Sequence, residues 1–381
     1  MKKLVFFFIF FYLFLFSYAT FMDIGSLEII YLQHNYPITF IENIFLNIFG
    51  HNNFALRLPS LILSILSIFL YYQISKKYLK TATDIYLSTL VFALMPGFII
   101  ASLLFNKSIY LIFLVLFFIY LFLYHRFLSY ILLLIYTIID YSFFTLYLAL
   151  IFYSIYKRDT KFLIYSLLLF MINANYFDYT IGGKPKGHFL DVLMIYFSIF
   201  SPFVFIYFIY SLIKSMKKPS LLWFISSVAL LFSILLSFRQ KIKIDDFAPF
   251  VIIAVIFMIM VFFKDYRIRL KIFRSFYRKL FIFLFSSLVI FDIVLFISPY
   301  YFKDKIFSQF RYSHKISLFL KQHNIDNIKC NNPHFCKKLY FYGLHKGDEY
   351  FIKIDKGFKK VSISHNHKVL YNFYVSKLNK K

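Results

Sequence analysis

Two carboxylates, Asp23 and Glu28, stand five residues apart directly after the unbroken apolar run Leu4 to Phe21, and a third, Glu42, follows in a stretch of helical periodicity. An acid at the aqueous end of a membrane segment can take a proton from an attacking hydroxyl or amine while the rest of the substrate stays in lipid. An Asp in that position can equally cap a helix start. Two basic clusters complement the acids. Gly182-Gly183-Lys184-Pro185-Lys186-Gly187-His188 carries Lys184 and Lys186 on glycine-rich backbone, and Arg239-Gln240-Lys241-Ile242-Lys243 brings Arg239, Lys241 and Lys243 together. Lys and Arg give phosphate charge-assisted hydrogen bonds and glycine permits close backbone approach, so both clusters suit a phosphate or diphosphate group. The same side chains would also snorkel to lipid headgroups. Lys107 is a further candidate cation between two apolar runs. Asp140 and Asp292 lie at or inside such runs, where unpaired charge is costly, which makes each a functional group or the partner of a neighbouring base.

The elements that must position these residues are set by composition. Of 381 residues 61% are apolar, with 57 Phe and 33 Tyr, while only 16% are charged. An average chain carries about 25% charged residues, so a water-soluble globule of this size is excluded. Apolar runs recur near Leu4 to Phe21, Leu56 to Ile74, Asp84 to Ala101, Ser108 to Tyr124, Phe127 to Ile139 and Ser142 to Tyr156. They continue at Phe162 to Tyr176, Leu190 to Ile213, Ser220 to Phe238, Phe247 to Phe263 and Leu280 to Ile297, which makes eleven candidate spans. Several are short, and a re-entrant or merged pair near Phe127 to Tyr156 remains open. The first run is longer than the roughly 7–15 residues of a signal-peptide core and is expected to be a retained helix, although Ser17-Tyr18-Ala19 resembles a cleavage site.

Lys and Arg concentrate in alternate connections, which places the N-terminus in the cytoplasm and the tail after Ile297 outside. The two basic clusters then fall on the outer face, against the charge bias. The net charge of +26 resides mainly between apolar runs with no basic groove of solvent-facing aromatics, so anionic lipid is expected as a partner rather than nucleic acid. No nucleotide-binding loop, dinucleotide fingerprint, zinc helix or serine-nucleophile elbow is present, and no cofactor is expected.

Residues 1–297 read as an all-α polytopic membrane domain and 298–381 as a small extracytoplasmic α/β domain. Within the first, residues 22–55 form a long outer loop in which Ile38, Ile41, Phe45 and Ile48 share a helix face, the pattern of a helix lying along a membrane surface. In the tail, Ile316, Phe319 and Leu320 suit one helix face, and strands are expected at Leu339 to Tyr342, Tyr350 to Ile354, Val361 to Ile363 and Val369 to Val375. Cys330 and Cys336, the only two cysteines, enclose a short polar loop and would pair in an oxidising compartment; zinc ligation with His334, His365 and His367 is the alternative.

The order of these features resembles the GT-C superfamily of integral-membrane glycosyltransferases, in particular family 39, which includes protein O-mannosyltransferases and lipid A aminoarabinose transferases. The resemblance rests mainly on Ile48-Phe49-Gly50-His51-Asn52-Asn53-Phe54-Ala55-Leu56-Arg57-Leu58-Pro59-Ser60, similar to the family's "lfG-x-x-x-x-a-l-R-L-P-S" start of its second span. Ala93-Leu94-Met95-Pro96 and the basic stretch Arg239 to Lys243 before Pro249 are weaker likenesses. It covers about the first 125 residues and Arg239 to Phe263.

The resemblance implies a catalytic acid at Asp23, where many members have an adjacent Asp-Glu pair and this chain has Asp23-Ile24 with Glu28 next. It implies an interfacial anchor and donor-phosphate ligand at Arg57, with Pro59 in the first helical turn, and contacts from Lys241 and Lys243 to a carrier phosphate. The implied activity is transfer of a sugar from a polyprenyl-phosphate-linked donor to a glycan, lipid or protein acceptor on the outer face of the cytoplasmic membrane. The alternatives are a lipid-linked oligosaccharide flippase or other transporter, and a catalytically silent assembly protein.

Overall fold

The computed structural model describes residues 2–33, 37–177, 187–301, 313–354, 360–365 and 368–374. The chain is mostly helical, with one small sheet near its C-terminus. Its helices are α1 (Lys2–Phe21), α2 (Ser26–Gln33), α3 (Pro37–Phe49), α4 (Asn53–Tyr78), α5 (Ala82–Ala93), α6 (Pro96–Leu103), α7 (Lys107–Tyr124), α8 (Arg126–Ile139) and α9 (Phe143–Lys157). They continue as α10 (Thr160–Tyr176), α11 (Phe189–Phe200), α12 (Pro202–Ser215), α13 (Leu221–Ser237), α14 (Ala248–Ile252), α15 (Val255–Ile268), α16 (Arg274–Tyr301), α17 (Ser313–Gln322) and α18 (Pro333–Phe341). Among the described residues four helical stretches are long and apolar enough to cross a membrane, Asn53–Tyr78, Lys107–Tyr124, Ala248–Ile268 and Lys271–Ile297, and two bent pairs raise the number to six. Each of the eleven apolar runs is helical, but among the described residues α1, α8, α9, α10 and α13 are not long and apolar enough for a full crossing.

Both bent pairs depart from the single spans expected of their runs, and in both the break falls at a proline. The α5–α6 pair turns by 56° at Met95–Pro96, and the α11–α12 pair by 98° at Ser201–Pro202. Proline removes one helical hydrogen bond and forces the preceding residue out of the helical region. Ser201 obeys this with φ +66° and ψ 148°, which leaves Pro202 free to open α12 at a position where its missing N–H costs nothing. Elsewhere local sequence sets the helix starts: Asp159 accepts the Phe162 N–H at 3.1 Å to cap α10, and Asn332 accepts the His334 N–H at 3.0 Å to cap α18.

Contacts divide the chain into two compact units, one made of Met1–Leu61, Leu103–Asn106 and Leu295–Lys381, the other of Ile62–Ser102 and Lys107–Val294. In the first, α3 turns Thr39, Glu42 and Leu46 inward, while Phe40, Ile41, Ile44 and Ile48 are exposed. Its outer face is apolar and its inner face partly polar, the arrangement that suits a helix resting on lipid.

The tail of this unit is an α/β layer. Strands β1 (Asn327–Cys330), β2 (His345–Lys346), β3 (Tyr350–Ile354), β4 (Lys360–His365) and β5 (Lys368–Tyr374) form one sheet in the order β2-β1-β3-β4-β5. The β1 strand runs parallel to β2 and β3, whereas β3, β4 and β5 are antiparallel neighbours with a bulge at Ile363/Ser364. Ile316 and Leu320 of α17 and Phe335 and Leu339 of α18 pack with Ile328, Ile352 and Ile363 of the sheet. Leu339 to Tyr342, expected as a strand, is instead the last turn and cap of α18. The reason is local: Gly343 at φ +89° closes the helix, its N–H bonding Tyr340 O at 3.0 Å and the Leu344 N–H bonding Leu339 O at 3.4 Å. Cys330 and Cys336 are joined in a disulfide with Cα atoms 5.7 Å apart, so neither thiolate is available to zinc.

Candidate functional site

The junction of α1 and α2 is held by an ion pair. Gly25 precedes α2, and Glu28, three residues on, accepts the Gly25 N–H at 2.6 Å, half of a capping box. The same carboxylate accepts the Phe105 N–H at 2.9 Å and, along one edge of the Arg57 guanidinium, the Nε and Nη2 donors at 3.3 and 3.0 Å. Arg57 is fully buried, and its remaining donors go to the carbonyls of Ala19 and Asp23, each at 3.0 Å, and of Met22. A guanidinium has five N–H groups, and all five are engaged here. Arg57, expected to meet a donor phosphate, therefore closes the carbonyls at the end of α1 with all its donors engaged in the fold. The oxygens of Glu28, expected to share in catalysis, are engaged in helix capping and the ion pair. Pro59 lies in the second turn of α4 rather than the first, because that helix begins already at Asn53.

Asp23 is different. It is only 5% exposed, and its Oδ2 accepts the Ser313 hydroxyl at 3.1 Å and the His314 N–H at 3.2 Å. The capping role open to this residue thus goes to α17, some 290 residues away, and not to its own helix. Among the described residues Oδ1 has no hydrogen-bond donor. Burial raises the carboxyl above the ordinary aspartate range, against the opposing pull of the His314 N–H and the Ser313 hydroxyl. Tyr342 completes the wall: its hydroxyl accepts the Ile24 N–H at 3.2 Å and donates to Asn53 Oδ1 at 2.5 Å, and its ring lies 5.0 Å from that of His314. Burial also pushes the Tyr342 hydroxyl up. Lys338, on α18, is 1% exposed, and burial pulls its ammonium down to about 8, with the charges of Asp23 and Glu28 opposing. Ser313, His314, Lys338 and Tyr342 escaped the sequence reading. Their relation to Asp23 spans most of the chain, and no local pattern marks it.

No family model matches this chain, and no curated protein or solved structure is detectably similar to it. The residues must be read on their own geometry.

The second unit contains a separate charge cluster, around Lys107 at the start of α7. Its ammonium meets Asp140 Oδ1 at 3.3 Å, Ser142 Oγ at 2.9 Å and Asp246, with the Tyr141 ring centroid 3.9 Å away. Tyr141 donates to Asp246 Oδ2 at 2.6 Å, and Ser142 donates to Asp246 Oδ1 at 3.2 Å. The Ser142 N–H bonds Asp140 Oδ1 at 2.8 Å, and Ser108 donates to Asp245 Oδ1 at 3.0 Å. The three N–H groups of an ammonium are thus matched by three acceptors within the fold, at the residue expected to meet a phosphate. Asp140 turns out to be the partner of a base. Asp245 and Asp246 were overlooked as chemistry, although an adjacent acid pair directly after a basic stretch is visible in the sequence.

Arg239, Lys241 and Lys243 lie between α13 and the short 3-10 turn Ile244–Asp246, and all three are exposed. Among the described residues none has an ion pair or side-chain hydrogen bond. Lys184 and Lys186 lie outside the described residues. Asp292, on α16, is 6% exposed, and neither of its oxygens has a partner among the described residues. No group of three or more His, Cys, Asp or Glu side chains there is arranged to hold a metal.

Proposed function

We propose that the protein transfers a sugar from a polyprenyl-phosphate carrier to an acceptor on the outer face of the cytoplasmic membrane, as a multi-pass GT-C-like enzyme with about eleven spans, a cytoplasmic N-terminus and an extracytoplasmic tail. The observation that carries this reading is the state of Asp23: a buried carboxylate with a raised proton affinity, gripped through one oxygen and open at the other. A carboxylate held in this way is oriented yet still able to accept a proton, as a general base requires.

In the proposed step the acceptor hydroxyl or amine attacks the anomeric carbon, and its proton passes to Asp23 Oδ1. The bond from the anomeric carbon to the phosphate oxygen breaks, and the electron pair leaves with the polyprenyl phosphate. Arg239, Lys241 and Lys243 of the second unit, exposed and without an ion pair among the described residues, are the cations we propose for binding the carrier phosphate. The carrier's tail stays in lipid, so neither nucleotide nor ATP is consumed. The test uses purified protein in lipid with labelled polyprenyl-phosphate sugars and cell-envelope acceptors. Asp23→Asn should lower transfer by about 10²–10⁴-fold, the usual range for a lost general base, with folding and carrier binding retained. Full turnover by this variant would refute the role.

A further inference from the structure

A cavity of about 430 Å³ opens in the first unit where α2 and α3 face the end of α18 and β2. It lies within the 300–1,000 Å³ typical of small-molecule sites, a range of about threefold. Its floor is apolar, with Leu46 from α3 and Leu344 after α18, and Phe341 forms one wall. The rim is polar: Asn43 from α3, His51 before α4 and His345 on β2. His51 stands edge-on to Phe341 with ring centroids 5.6 Å apart. Among the described residues none of these three polar side chains has a hydrogen-bond partner, so amide and imidazole donors and acceptors converge on the cavity unused. Tyr342, adjacent to Phe341, reaches Ile24 and Asn53 with its hydroxyl, which ties this end of α18 to the residues next to Asp23.

We propose that this cavity is a carbohydrate-binding cleft that takes a pyranose unit of the acceptor. A pyranose has a C–H face, which stacks on an aromatic ring and an apolar floor, and an equatorial edge of hydroxyls, which needs both donors and acceptors. A neutral imidazole and a carboxamide each offer both. A phosphate would call for cations in their place, and none of the lining residues is Lys or Arg. The assignment to the acceptor rests on the glycosyltransferase reading; the binding of sugar does not.

The test uses the full chain in lipid nanodiscs, with N,N′-diacetylchitobiose, maltose and mannobiose as probes and inorganic phosphate as control, read by saturation-transfer NMR and calorimetry. At least one disaccharide should bind, and His51→Ala with His345→Ala should weaken it about tenfold or more, the equivalent of one or two lost hydrogen bonds. Both histidines are exposed, and circular dichroism verifies that the variant folds. Asn43→Ala provides a second variant with the same expectation. Absence of binding by every disaccharide, binding indifferent to all three substitutions, or binding of phosphate alone would overturn the cleft. Asp23→Asn separates the two proposals, because it should keep sugar binding while losing transfer. If that variant transfers normally, the role of Asp23 fails and the cleft stands; if the native chain transfers no sugar yet binds it, the enzyme reading fails and the cleft stands. If it is inactive but sugar binding ignores the cleft substitutions, only the cleft fails.

Discussion

Asp23 and Asp246 are both buried carboxylates in a helical protein, and they are satisfied in opposite ways. Asp246 has an ammonium, a phenol and a serine hydroxyl on its two oxygens. Asp23 has a hydroxyl and one N–H on a single oxygen, with its nearest described guanidinium, Arg57, spent on Glu28 and on backbone carbonyls. The first arrangement stabilises charge and leaves nothing to react. Burial raises both carboxyls above the ordinary aspartate range, so what separates the second is its Oδ1, which has no donor among the described residues. The comparison teaches that burial of a charge marks a candidate site only when the accounting of its partners is incomplete. By that measure Lys107, Glu28 and Arg57 are matched within the fold, whereas Asp23 and Asp292 are not, and of these two Asp23 is the one that stands at the end of an apolar helix, where an acceptor in water can meet it.

Substitutions can break this contrast. The largest effect should be the loss of transfer in Asp23→Asn described above, with a pH–rate profile in the native protein whose acid limb lies above the ordinary aspartate range. Next comes Lys107→Met, which leaves Asp140 and Asp246 buried without their cation. Removing one partner of a buried pair costs about 3–5 kcal/mol, measurable as lower thermal stability of the whole chain in detergent. An unchanged melting temperature would show that this cluster is solvated and could bind a ligand after all.

Lys338→Met sharpens the contrast from the other side. Its ammonium is held near 8, below the ordinary lysine value of 10.5, so the fold disfavours the charged form. The penalty is fully present below pH 8 and is relieved as pH rises from there toward the unfolded value. Stability of the native chain should therefore increase across that window by on the order of 3 kcal/mol, and the Met variant should lose this dependence and be more stable at pH 7. A native chain whose melting temperature does not respond between pH 8 and 10 would contradict the burial of this lysine.

The Cys330–Cys336 disulfide closes a short loop, so its reduction should cost about 2 kcal/mol, seen as a lower unfolding midpoint with reductant. The smallest effect is expected for Lys241→Ala with Lys243→Ala, because these side chains are exposed: folding unchanged, carrier binding weaker by about tenfold, the equivalent of roughly 1.4 kcal/mol. Unchanged binding would assign them to lipid headgroups.

Much of the helical frame was legible because it is written locally. Apolar runs with few charges become helices wherever they stand, and proline, as at Pro96 and Pro202, breaks them at positions the sequence announces, although the 98° turn at Ser201 was not foreseen. The tail helix over Ile316 and Leu320 and the strands at Tyr350 to Ile354, Val361 to Ile363 and most of Val369 to Val375 followed from periodicity for the same reason. Leu339 to Tyr342 misled, since a short apolar stretch suits either a strand or a helix end and the glycine cap at Gly343 decides between them.

The site was legible only in part. Asp23 stood out by its place after the first apolar run, but Glu28, Arg57 and Lys107 looked equally chemical. Nothing in their spacing tells that Arg57 meets Glu28, or that Lys107 meets Asp246 far along the chain.

The sequence by itself determined where helices form and where acids and bases stand along them, because hydropathy, capping and proline geometry act over a few residues. Only the tertiary structure decided which of those charges are quenched and which remain open. A buried charge takes its character from whatever oxygens and N–H groups surround it in three dimensions, and for Asp23 these come from Ser313 and His314.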